Sequence, residues 1–187
     1  MRKFGASSLI IFLTLAYVVL SLSNPVFGQE NNLDPTEANY YLKRGLALLD
    51  NGRFFEAIPE LTSALEIKPN SVTALAQRCK AYLLTGQTSK ALEDINNAIY
   101  LSTSNSELYK LRADTLATLG DYKSAVVDYN RSISLAPYVA SAYNNRAVAL
   151  SNLNKNKEAV EDLNAAMEIS AASPNSSPPP LFEGSKW

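Results

Sequence analysis

The chain has 187 residues, 47% of them hydrophobic and 19% charged, with a formal charge of -1. That is enough for one domain with its own core, and no basic excess of the kind nucleic acid demands is present. With no histidine and a single cysteine, Cys79, the chain can form neither an internal disulfide nor a histidine-based metal or catalytic pair.

In chain order, the first segment reads as an export leader. Arg2 and Lys3 supply a positive start, Leu9 to Leu20 a nearly unbroken apolar run, and Val26-Phe27-Gly28 a small residue for cleavage before Gln29. The run is shorter than the roughly 20 residues a membrane span needs. A cleaved signal peptide over 1–28 is therefore expected, which places the protein outside the cytoplasm: secreted, periplasmic or lumenal. An uncleaved membrane anchor is the alternative. No cysteine lies near the cleavage site to carry a lipid. Removing Arg2 and Lys3 would bring the charge to -3.

After a lead-in over 29–37, the chain repeats itself every 34 residues. Ala57, Ala91, Ala125 and Ala159 keep this step, as do Arg44, Arg78, Arg112 and Arg146, and Gly52, Gly86, Gly120 and Asn154. A strict period of this length marks stacked supersecondary units. Each unit predicts two helices. The first begins near Ala38, Val72, Ser106 and Ala140 and ends at the glycine or asparagine, where a left-handed residue stops a helix at little cost. Asp34-Pro35-Thr36-Glu37 offers the opening helix an N-cap and a proline for its first position. The second helix begins near Phe54, Thr88, Tyr122 and Asn156. Its apolar residues fall at i, i+3 and i+7, one helical face, as in Ile58/Leu61/Leu65 and Val160/Leu163/Met167. Pro69 and Pro137 close the first and third units, and Pro59 is expected to bend or weaken the helix that contains it.

The residues that carry these periods resemble the tetratricopeptide repeat family. Tyr41, Gly45, Leu48, Ala57, Leu61, Ala64 and Pro69 match its motif in order, and so do Tyr109, Ala113, Leu116, Ala125, Tyr129, Ser132 and Pro137. The second unit (Leu75, Cys79, Tyr82, Ala91, Ile95, Ala98) has Thr103 at the proline position. The fourth (Tyr143, Ala147, Leu150, Ala159, Leu163, Ala166) has Ala171 there and Asn154 for the turn glycine. The resemblance implies an all-α, right-handed solenoid of four hairpins and eight helices, with units at 38–71, 72–105, 106–139 and 140–171. The small residues at the eighth and twentieth positions let paired helices approach closely, and Cys79 in such a slot reads as a buried small hydrophobe.

Glu60, Asp94, Asp128 and Asp162 each follow their unit's arginine by sixteen residues, and the first three precede the next unit's arginine by eighteen. Both arginines sit level with the acid, so a ladder of ion pairs between helices is expected, fixing register.

The family resemblance further implies that the first helices line a concave groove for extended peptides or partner helices. Mapped onto this chain, the groove comprises Asn39, Leu42, Lys43 and Leu46 in the first unit and Thr73, Ala76, Gln77 and Lys80 in the second. Glu107, Lys110 and Asp114 follow in the third, and Ser141, Asn144, Asn145 and Val148 in the fourth. The set is mixed in charge and rich in amides, which donate and accept as a peptide backbone does. One subclass of the family grips a C-terminal carboxylate with Lys, Asn and Arg at set positions. Here those positions read Leu42, Leu46, Gln77, Glu107 and Leu111, or one unit later Ala76, Lys80, Leu111, Ser141 and Asn145, so a carboxylate clamp is rejected. With no phosphate loop and no catalytic pair, an enzyme, a cofactor, a small-molecule substrate and a nucleic-acid partner are not expected; the partner is a protein or peptide.

Beyond Ala171 the chain turns to serine and proline, and residues 172–187 are expected to form a disordered tail ending in Leu181, Phe182 and Trp187. Val160, Leu163 and Met167 then lack a following unit to cover them. They form a candidate end face, to be covered by the tail or by a second molecule in self-association. The alternative function is accordingly a structural subunit of a larger envelope or lumenal assembly.

Overall fold

The structure, a computed structural model, describes residues 35–172. The leader, the first part of the lead-in and the Ser/Pro-rich tail, with Phe182 and Trp187, lie outside the described residues. Within them eight α-helices follow one another: α1 (Pro35–Asp50), α2 (Phe54–Ile67), α3 (Val72–Leu84), α4 (Thr88–Leu101), α5 (Ser106–Thr118), α6 (Tyr122–Leu135), α7 (Ala140–Asn152) and α8 (Asn156–Ala171). They pair as α1/α2, α3/α4, α5/α6 and α7/α8, and each hairpin packs on the next. The described chain is thus an all-α solenoid with no strand.

The turn inside each hairpin is set by one left-handed residue. Gly52, Gly86 and Gly120 have φ of 72°, 76° and 80°, and Asn154, at φ 62°, takes the same conformation. Asparagine tolerates that region better than other side-chain-bearing residues, so its substitution leaves the hairpin intact. Start signals differ by helix. The Ser71, Asn105 and Asp121 side chains accept hydrogen bonds from Ala74, Glu107 and Ser124 N–H groups, satisfying donors that the first turn leaves free.

Two of the helices carry a proline. Helix α1 begins at Pro35, a turn ahead of the repeat register. Proline suits that first position because its φ is already helical and its absent N–H would have had no partner there. Helix α2 runs unbroken from Phe54 to Ile67 across Pro59. The proline removes one hydrogen bond but does not end the helix, because Ala57, Leu61, Ala64 and Leu65 are buried on its inner face and hold it in place.

The core runs through the seams. Ala57, Ala91 and Ala125 are fully buried. At Gly45 a Cβ would stand 2.7 Å from Leu61 Cγ, so only glycine fits that seam undisturbed. Helices α2, α4 and α6 stop two residues before position 69, 103 or 137, whether proline is there or not. Proline therefore marks these ends without being required for them.

Candidate functional site

The packing of the helices decides which face is inner. Cα atoms of α1 and α3, of α3 and α5, and of α5 and α7 come within 8 Å of each other, while those of α2, α4, α6 and α8 never do across units. The row more closely spaced in a curved stack lies inside the curve, so the first helices form the inner row and the second helices the outer one.

All fifteen groove residues lie on that inner row, and none is fully buried. Asn39, Lys43, Thr73, Glu107, Ser141, Asn144 and Val148 are exposed. Leu42, Leu46, Ala76, Gln77, Lys80, Lys110, Asp114 and Asn145 are half-buried, and Leu42 and Ala76 rest against the core cluster beneath. The structure joins five of the fifteen in a polar chain across three units. Lys80 Nζ lies 3.7 Å from Glu107 Oε1, and Lys110 Nζ lies 4.0 Å from the same oxygen and 3.2 Å from Asp114 Oδ2. Asp114 Oδ1 accepts from Asn145 Nδ2 at 2.8 Å and from the Tyr129 hydroxyl at 2.6 Å.

Tyr129 belongs to the outer helix α6 and was legible from sequence only as a packing residue, at a position that is Leu61, Ile95 or Leu163 in the other units. Its ring is buried while its hydroxyl reaches through the seam to the inner face. Burial, and then the bond to Asp114, push the phenol's pKa far above its usual range, so it remains a hydrogen-bond donor. The sole sequence signal was an aromatic hydroxyl in an aliphatic column. Asp114 and Lys110 are consequently occupied by their neighbours. Asn39, Lys43, Gln77 and Asn144, by contrast, make no hydrogen bond or ion pair among the described residues, and their polar groups are available to a ligand.

The repeated arginine and acid form a second network, and its wiring corrects the expected ladder. Arg78, Arg112 and Arg146 each donate two bonds to the acid sixteen residues on, Asp94, Asp128 and Asp162, at 2.6 to 2.8 Å. The acid does not bond the next unit's arginine eighteen residues on. The link between units runs through Thr62 Oγ1, Asn96 Oδ1 and Asn130 Oδ1, which accept from Arg78, Arg112 and Arg146 at 3.1, 3.2 and 2.6 Å. A planar guanidinium has two nitrogens for the carboxylate fork and one left over, and the preceding unit's neutral side chain meets that remainder. Each of the four guanidinium groups also lies over a tyrosine ring, as Arg146 does over Tyr143 at 5.5 Å.

Cys79 is fully buried with its Sγ 3.9 Å from Thr115 Oγ1, and burial pushes its thiol up to about 12. A thiol held protonated is a poor nucleophile. No group of three potential metal ligands occurs among the described residues, and no described helix is long and apolar enough to cross a membrane.

The end-face residues stand apart from their equivalents. Leu163 is 43% exposed, while Leu61, Ile95 and Tyr129 in the same position are at most 2% exposed; Val160 and Met167 are exposed as well. Helix α8 continues two residues further than the other outer helices, and no described unit follows it.

Comparison with known proteins agrees with this architecture. Tetratricopeptide repeat models match residues 48–114, 106–138 and 140–173. No curated protein sequence matches. Among solved structures, the chain is similar to the one described as the crystal structure of MamA (TM-score 0.68, 24% identity, 73% of this chain and 80% of that one). It is also similar to MamA 41-end from Desulfovibrio magneticus RS-1 (TM-score 0.68, 15% identity, 90% and 97%). A third similar structure is the first tetratricopeptide domain of Spaghetti (RPAP3) bound to the HSP90 peptide SRMEEVD (TM-score 0.62, 25% identity, 65% and 96%).

Proposed function

Because the chain belongs to the tetratricopeptide repeat family of protein-interaction modules, we propose that its inner face binds an extended peptide or a partner helix outside the cytoplasm. The observation that carries the reading is the set of free amides on the inner row. Gln77 and Asn144 are unsatisfied by the described chain and lie on either side of the Lys80–Glu107–Lys110–Asp114–Asn145 chain. Amide side chains pair with a peptide backbone through one donor and one acceptor. The polar chain fixes Asn145 and spares the ligand that ordering cost. The domain of Spaghetti (RPAP3) is seen bound to a peptide, but without the clamp residues this chain would hold its ligand along the backbone and not by a terminal carboxylate.

Panning a displayed peptide library against the protein tests this. Gln77→Ala and Asn144→Ala should each weaken a selected peptide several-fold, as expected for one hydrogen bond worth about 0.5–1.5 kcal/mol. Lys123→Ala, on the outer row, should not. Equal affinity across all three variants would remove the groove from the reading. Export is checked by intact mass: the secreted protein should lack residues 1–28.

A second reading, a subunit that docks through its end into an assembly, is favoured by the exposure of Val160, Leu163 and Met167.

A further inference from the structure

The leading face of every unit uses the same positions, and comparing them shows what the first unit leaves open. In units two to four the third and tenth positions, Ala74 and Ala81, Leu108 and Thr115, Ala142 and Ala149, are at most 2% exposed. They are covered by the trailing face of the unit before. In the first unit the same positions are Tyr40, 55% exposed, and Ala47, also exposed. Arg44 completes the face. Its equivalents each hold an acceptor of the preceding unit, whereas Arg44 turns a guanidinium nitrogen to the Tyr40 hydroxyl at 3.3 Å. It meets Glu60 through one contact, at 3.1 Å, and leaves Glu60 Oε2 buried without a partner.

The trailing face of the fourth unit is open in the complementary way. Val160, Leu163 and Met167 lack cover, and Asn164 stands where Thr62, Asn96 and Asn130 receive the next arginine. Among the described residues Asn164 has no such donor. One end therefore presents an arginine without its amide, and the other an amide without its arginine. Each lies beside apolar positions that the three internal interfaces bury.

We propose that the two ends are complementary and that copies of this chain stack head to tail, the first unit of one docking on the fourth unit of another. This inference rests on the second reading above and names its partner as the chain itself. Arg44 of one copy donates to Asn164 Oδ1 of the next, repeating the step made three times inside the array. Tyr40 and Ala47 cover Val160, Leu163 and Met167, the methionine adapting to the larger tyrosine. Because the contact joins two different faces, a dimer still offers one of each, so association continues past the dimer.

Sedimentation equilibrium of the full chain as purified should give an average mass that rises continuously with concentration and passes the dimer. Leu163→Lys, at a site exposed enough to leave the fold intact, should hold the mass at that of a monomer, and Ala47→Arg should do so independently from the other end. For direct contact, Arg44→Cys and Asn164→Cys proteins are mixed with a short bis-maleimide; Cys79, buried and protonated, does not compete. Cross-linked dimers should form in the mixture and in neither protein alone. Dimers of Asn164→Cys alone would overturn the head-to-tail arrangement in favour of two trailing faces meeting. A strictly monomeric wild-type protein would overturn self-association altogether, while leaving the end face free for a different partner, so the two failures are distinct.

Discussion

The first and fourth units each carry an arginine and an acid at the same spacing, Glu60 in the first and Asp162 in the fourth, and the pairs differ in kind. Arg146 donates to both oxygens of Asp162 at 2.6 and 2.7 Å and to Asn130 at 2.6 Å, and its side chain is 11% exposed. Arg44 reaches Glu60 once, at 3.1 Å, and is 55% exposed. The acids differ by one methylene, and so does what precedes each arginine. Arg146 is walled by α6, which supplies an acceptor and excludes water; Arg44 has no described unit in front of it. An ion pair draws structural weight here from its neighbours as well as from its own two residues.

The sharpest way to break the comparison is to remove the arginines one at a time. Arg146→Ala leaves Asp162 buried without its counter-charge and should cost about 3–5 kcal/mol, seen as a lower urea midpoint. Asn130→Ala keeps the ion pair and removes only the link between units. It should cost roughly 1.5–3 kcal/mol, the range for a hydrogen bond to a charged group, and should loosen the fourth unit first in hydrogen exchange. Overpacking the seam inside a hairpin probes a contact that does not depend on the neighbouring unit. Ala125→Leu and Ala159→Leu should therefore cost similar amounts, on the order of 1–3 kcal/mol, in equilibrium denaturation; a much milder effect in the fourth unit would extend the weakening of the ends to the seams. Smallest of all, Arg44→Ala should barely move the urea midpoint, since exposed pairs contribute little. A loss equal to that of Arg146→Ala would mean that Arg44 is covered in solution, and head-to-tail stacking would make that loss grow with protein concentration.

The sequence by itself determined the periodic part of the protein. A 34-residue step in alanine, arginine and turn residues reports local geometry, since a left-handed turn accepts Gly52 or Asn154 and few alternatives, and a close seam accepts Gly45 or Ala57. It also marked where α2, α4, α6 and α8 begin. Spacing along the chain could not show which of two equidistant partners an acid takes. Asp94 lies sixteen residues after one arginine and eighteen before another, both level with it, and only the packed hairpin shows that the former pair is bidentate and that Asn96 meets the latter. Nor could sequence show that the Tyr129 hydroxyl crosses a seam to Asp114, or that Lys110 is occupied while Gln77 is free. Those outcomes depend on side chains from different helices meeting in three dimensions, where burial decides which polar groups must find a partner and which are left for another molecule.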